Sequence, residues 1–402
     1  MNKFLKIYFL LMVVFFISGT LFAQNEEDFD KEDPVEDLAK EVNTLKPGSS
    51  RFLMRGYAHA GIEFLKDNTT FVGGSFNPIF LWQQSKRLLF ESELELELTQ
   101  DGTELGLEYA DMAYFINQYL TVRMGKFLLP FGTFGEKLHP RWINRLPSNP
   151  LGFTHEGQVG PMSDLGVEIR GAAYMTRNAW INYSLYVVNG PKLNDGTDEP
   201  EEGGQLHYNN YIDNNKAKSF GGRIGILPLY NSSLEIGLSG QFGKVGTSKT
   251  AYENIGSQLY AIDLSYVTRL DFMKSMLDIK GQWNRVSVDQ ASYPDPENAD
   301  QSYTFENVSN AYYGQVSIKT AFVDNDFFNK LEFVGRYSKL ELPSKAVWGG
   351  EDTQITVGIN YWLDWRTVVK FAYQTLDSSG EADGHSSVTQ GDAFLMHWSI
   401  GF

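Results

Sequence analysis

The chain has 402 residues, 14% of them aromatic, with 38 glycines, no cysteine and a formal net charge of −16. The missing cysteine excludes disulfides, thiol catalysis and lipidation of an N-terminal Cys, and the acidity disfavours nucleic acid as a partner. The 28 Phe and 21 Tyr favour strands, and one closed sheet can absorb a length that would otherwise suggest two or three domains.

In chain order, Lys3 and Lys6 precede an apolar run from Ile7 to Ser18, followed by Gly19-Thr20-Leu21-Phe22-Ala23. A basic start, a short apolar stretch and a small residue before the cut describe a secretory signal, residues 1–23, cleaved after Ala23. The run is short of the ~20 residues a membrane span needs. Residues 24–50 hold nine acids and three bases, with too few apolar residues to bury. They read as a flexible acidic periplasmic tail, or a partner-binding arm. Removing the +2 of the leader leaves −18; the tail carries −6 of this, and residues 51–402 carry −12.

From Arg51 onward the pattern has period 2. Leu88, Phe90, Leu94, Leu96 and Leu98 share one parity, while Glu91, Glu93, Glu95 and Glu97 share the other. Successive strand side chains point to opposite faces, so one face is greasy and the other acidic. Repeats of this pattern predict strands at 51–64, 70–83, 87–100, 103–116, 119–128, 164–175, 179–189, 219–227, 233–245, 257–269, 275–288, 311–322, 330–341, 352–363, 367–376 and 392–402. The second is the weakest, because Pro78 cannot donate to a ladder. Sixteen is an even number, as in single-chain bacterial barrels, whose strands face lipid on one side and a wet interior on the other. The fold class is therefore all-β, a 16-stranded antiparallel transmembrane barrel in the cell outer membrane, surrounded by lipid.

The connections test this. Every long one (129–163, 190–218, 246–256, 289–310, 342–351 and 377–391) follows an odd strand, and the links after even strands are brief. That sorting is expected when both termini are periplasmic and the long loops are extracellular. The last strand places Phe394, Met396, Trp398, Ile400 and Phe402 on the lipid-facing parity. Its terminal aromatic is the expected signal to the barrel-assembly machinery.

The segment Val122-Arg123-Met124-Gly125-Lys126-Phe127-Leu128-Leu129-Pro130-Phe131-Gly132 resembles the phosphate-selective porin O and P family, in its Bacteroidota branch. In that family a strand with a Gly-polar-Phe run leads into Pro-Phe-Gly. The resemblance implies that the third loop, 129–163, folds into the lumen and narrows it. Composition agrees, since a 35-residue connection with Phe131, Phe134, Trp142 and Phe153 is unusually long for a structureless loop and has apolar surface to pack.

That loop is locally basic, with Lys137, His139, Arg141 and Arg145 against Glu136 and Glu156. Arg123 and Arg170 lie on inward parities of the flanking strands, and Arg55 on that of the first. Arginine suits anion recognition at a constriction. Three readings stay open: dedicated anion selection; a transverse field between this basic set and an acidic wall of Glu91, Glu93, Glu95 and Glu97; and structural pairing with the inward glutamates of strands three and four, Glu104 and Glu108 included. The acidic total counts against phosphate selectivity. Acidic outer loops (Asp195, Asp198, Glu199, Glu201, Glu202; Asp295, Glu297, Asp300) read as solvated charge or as divalent-cation ligands.

An enzyme is the rival class. No Gly-x-Ser-x-Gly is present, and none of His59, His139, His155, His207, His385 and His397 shows metal-ligand spacing. Inward His59 and His397 lie on adjoining first and last strands. The expectation is a porin passing small hydrophilic solutes or ions, with no catalytic residue, cofactor or metal, and with a homotrimer in keeping with its size. The alternatives are an adhesin or structural barrel, and a barrel hydrolase.

Overall fold

The computed structural model describes residues 51–402, apart from 67, 100–101, 155–156, 209–210, 299 and 380–390. The leader, the acidic tail, His155, Glu156 and His385 lie outside the described residues. The strands are β1 (Arg51–Leu65), β2 (Thr69–Ser85), β3 (Leu88–Thr99), β4 (Gly102–Asn117), β5 (Leu120–Leu128), β6 (Ser163–Tyr174), β7 (Trp180–Val188), β8 (Lys192–Leu193), β9 (Leu206–His207), β10 (Ser219–Leu227), β11 (Leu234–Lys244), β12 (Gly256–Leu270), β13 (Ser275–Pro294), β14 (Ser302–Lys319), β15 (Leu331–Glu341), β16 (Glu351–Asp364), β17 (Thr367–Ser378) and β18 (Gly391–Gly401). All but β8 and β9 form one closed antiparallel barrel of sixteen strands, with β1 paired to β18. β8 and β9 make a two-residue ladder inside the 190–218 connection.

Parity decides which side chains face out. On β18, Phe394, Met396 and Trp398 are exposed while Ala393, Leu395, His397 and Ser399 are buried. The same alternation runs through Ile236, Leu238 and Phe242 on β11, and through Ile355, Val357 and Ile359 on β16. An apolar belt this extensive would be an aggregation surface in water; it is the face a barrel turns to lipid.

The seam closes on Phe402. Its N–H and carbonyl bond the carbonyl and N–H of Gly56 at 2.9 and 3.1 Å. Its ring lies over Gly56 and stacks on Phe76, with centroids 5.6 Å apart. Phe402 therefore sits on the outer face, on the expected parity. A Cβ at Gly56 would stand 2.4 Å from the Asn77 carbonyl oxygen and 2.7 Å from the Phe402 ring.

One expectation needs correction, and the strand read as the weakest holds. The loop read as 289–310 shrinks to residues 295–301, because β13 and β14 continue as a ribbon past the register shift at Val288/Ala291. Tyr293, Tyr303 and Phe305 give that ribbon a face to bury. At Pro78, β2 stays a full strand, and its missing N–H shows as a break in the β2–β3 ladder between Phe76↔Leu96 and Ile79↔Glu93. The apolar core lies inside the barrel. Phe131, Phe134, Phe153 and Val159 from the β5–β6 connection pack on Tyr313, Leu340, Ala311 and Val286 of the wall.

Candidate pore constriction

The β5–β6 connection is anchored by hydrogen bonds to lumen-facing side chains. At its start, Ser239 Oγ accepts from Gly132 N at 3.0 Å, and Gln282 Oε1 accepts from Thr133 N and Phe134 N at 2.8 and 2.9 Å. Gly132 has φ +67°, a conformation that favours glycine. Further on, Arg336 donates to the Ser148 and Asn149 carbonyls, Asn360 Nδ2 to the Arg145 carbonyl at 2.8 Å, and Lys370 Nζ to the carbonyls of Arg141 and Asn144. The Trp142 ring lies over Gly401. The connection thus crosses the lumen from β5 and β6 to the strands on the far side. Three rings tie it down, with Phe153 5.1 Å and Phe134 5.8 Å from Tyr313, both edge-on.

Most of the basic residues singled out from sequence meet a carboxylate. Arg123 Nε donates to Glu168 at 2.7 Å, and its guanidinium is 3.8 Å from Asp111. Arg170 bridges Glu136 at 2.7 Å and Glu168 at 3.6 Å. Arg145 pairs with Glu332 at 3.3 Å and lies 3.8 Å from Asp278. Lys137 meets Glu235 at 3.3 Å. Burial alone would raise the Glu136 carboxyl, but Arg170, Arg123 and Lys137 around it hold it down to about 2. These partners are not the glutamates of β3 and β4 suggested by sequence. Apart from Asp111 on β4, they come from β6, β11, β13 and β15 and from the connection itself, whose path across the lumen sets the pairing.

Arg141 differs. Its Nη1 donates to the Pro147 carbonyl and Asn149 Oδ1 at 2.8 and 3.2 Å. Burial pushes its guanidinium below the usual range, and the groups opposing that shift are Glu97, Tyr57, Glu95 and Glu63, on β1 and β3. Arg141 therefore faces the acidic side of the barrel. On that side Glu93 accepts from Tyr57 at 2.7 Å and Glu91 from Tyr109 at 3.3 Å. Arg55 stands apart, low on β1 beside Arg366 in the short turn after β16.

Sequence reasoning missed Arg223, whose guanidinium is 2.6 Å from Asp263 and 2.9 Å from Glu235. It also missed Arg336 and Lys370, which hold the connection in place. All three sit on buried inward parities, a signal available in the sequence. His59 and His397 do approach, with rings stacked at 6.5 Å. His59 bonds Ser75, and His397 lies 3.3 Å from Glu63. At the long-loop rim, ligand atoms of Glu199, Glu202 and His207 lie within 4.8 Å of one another, a grouping that sequence spacing does not reveal.

No protein-family model and no curated protein matches the chain. Solved structures do. The anion-selective porin from Comamonas acidovorans aligns with TM-score 0.56 and 13% identity, over 88% of this chain and 100% of that one. OmpF of Salmonella typhi, in complex with daunomycin, gives 0.55 and 10%, over 87% and 97%. The outer-membrane channel DcaP of Acinetobacter baumannii gives 0.54 and 10%, over 88% and 98%. At these identities the likeness concerns architecture, and the chain has the fold of an outer-membrane porin.

Proposed function

We propose that the protein is an outer-membrane porin through which small hydrophilic solutes and ions diffuse passively, between the folded-in connection and the β1–β4 wall. The observation that carries this reading is a closed sixteen-strand barrel whose lumen holds both the basic connection, with Arg141 bonded only to backbone and amide oxygens of its own segment, and the inward carboxylates Glu91 and Glu93 of β3. Fixed charges of opposite sign on the two sides of a narrow aqueous passage produce a transverse field that orients and filters solutes. Of the three sequence readings, this one is favoured. Arg123, Arg170, Arg145 and Lys137 each have a carboxylate partner, which argues against a dedicated phosphate site of the kind implied by the O and P family resemblance. Arg55, Glu91 and Glu93 contribute to the lumen charge, and Phe402 to assembly.

Reversal potentials in a KCl gradient test the field. Arg141→Ala shifts the reversal potential toward cation preference by several millivolts; an unchanged value removes Arg141 from the passage. The hydrogen bonding of the connection to the far wall also suits a second reading, a plugged structural or adhesive barrel. That reading requires the absence of ion conductance.

A further inference from the structure

β1 begins at the short-turn rim of the barrel, and its first lumen-facing residues do not suit a wet interior. Leu53 and Arg55 share the inward parity of the buried Tyr57 and His59. Leu53 is 46% exposed. Opposite it on β2 stands Leu81, and opposite Arg55 stands Ile79. Apolar area left in water forgoes about 25 cal/mol per Å² of burial, and this patch lies on the face away from lipid.

The rim around the patch is basic. The short turns there hold six bases against three acids, although residues 51–402 carry −12. Lys86 and Arg87 lie in the turn after β2, and Arg366 in the turn after β16. Arg55 and Arg366 repel each other, and Asp364 opposes that effect.

One segment of the chain matches both features. Residues 24–50 end three positions before Leu53 and hold nine acids against three bases. Within them Val35, Leu38, Val42 and Leu45 recur at intervals of three, four and three, a spacing that aligns apolar side chains on one side. Pro47-Gly48-Ser49-Ser50 is a turn-forming composition, suited to reversing the chain just before β1. A segment tethered this closely meets the patch at about millimolar effective concentration, so modest contacts suffice.

We infer that residues 24–50 fold back and dock on the short-turn mouth of their own barrel. Leu38, Val42 and Leu45 cover Leu53, Ile79 and Leu81, and the carboxylates of Glu36, Asp37 and Glu41 meet the bases of the rim. Apolar contact fixes the position, and charge supplies a salt-dependent share of the attraction.

The chain has no cysteine, so spin labels can be placed at Asn43→Cys in the segment and at Gln84→Cys, exposed at the rim. Distances are read by double electron–electron resonance on the full chain in nanodiscs. A single narrow distance is expected, and it persists when labelled chains are co-refolded with excess unlabelled chain. Leu38→Asp combined with Val42→Asp broadens the distribution about threefold, and so does Arg366→Glu. Lys274→Glu, in the turn after β12, leaves it unchanged. A broad distribution in the otherwise unaltered chain overturns the proposal, as does a narrow one that survives the substitutions. A narrow distance lost on dilution overturns it in favour of the segment of a neighbouring copy. If Arg366→Glu does not fold, the paired substitutions at 38 and 42, which precede the first strand, decide alone. The readout involves no current, so a barrel without ion conductance would defeat the pore reading and leave this one standing.

Discussion

Arg223, 4% exposed between Glu235 and Asp263, shows what a buried charge contributes in this lumen. Each partner is costly to bury alone, and breaking such a pair costs about 3–5 kcal/mol because the remaining charge is uncompensated. Arg223→Ala is therefore expected to lower the urea midpoint of the barrel in detergent, followed by tryptophan fluorescence. Replacing Arg223 and Asp263 together with Leu should recover much of the loss. Arg269, whose ion pair with Asp271 lies in the open, provides the contrast, and its removal should stay within about 1 kcal/mol of the parent.

At the scale of elements, the β5–β6 connection is held by backbone N–H groups at its start and backbone carbonyls further on, bonded to a few wall side chains. Gly132 is its pivot. An added Cβ there would stand 1.9 Å from the Gln282 amide, the group whose Oε1 holds Thr133 and Phe134, and the positive φ disfavours any side chain. Gly132→Ala is expected to loosen the connection, seen as new protease cuts within residues 133–160 and a larger, noisier single-channel conductance. An unchanged cleavage pattern would show that the anchor lies elsewhere.

The strands themselves were legible in the sequence because a sheet with lipid on one side and water on the other enforces period 2 along each strand. Leu88 to Leu98 on β3 displays this without ambiguity. The inward course of the connection was legible from its Pro, Gly and aromatic content and from its resemblance. Its pairing was not. Which carboxylate meets Arg145 depends on how far across the lumen the chain reaches, and Glu332 lies 187 positions away on β15.

Over the whole molecule, the barrel must close, and the closure rests on a glycine meeting an aromatic. Phe402 covers Gly56 and stacks on Phe76 at the β1–β18 seam. Gly56→Ala inserts a methyl into the space of the Asn77 carbonyl and the Phe402 ring. It should lower the fraction of chains that run as compact, heat-modifiable barrels on gels, and Phe402→Ala should do so through lost packing and slower assembly. Two variants with normal folding yield would mean that the seam tolerates a looser fit.

The proposed function requires a conducting passage beside the folded-in connection, along the acidic wall. Planar-bilayer recording of the purified barrel in symmetric KCl addresses it most directly. Discrete, long-lived conductance steps are expected. A folded, inserted barrel that gives no steps would contradict the claim.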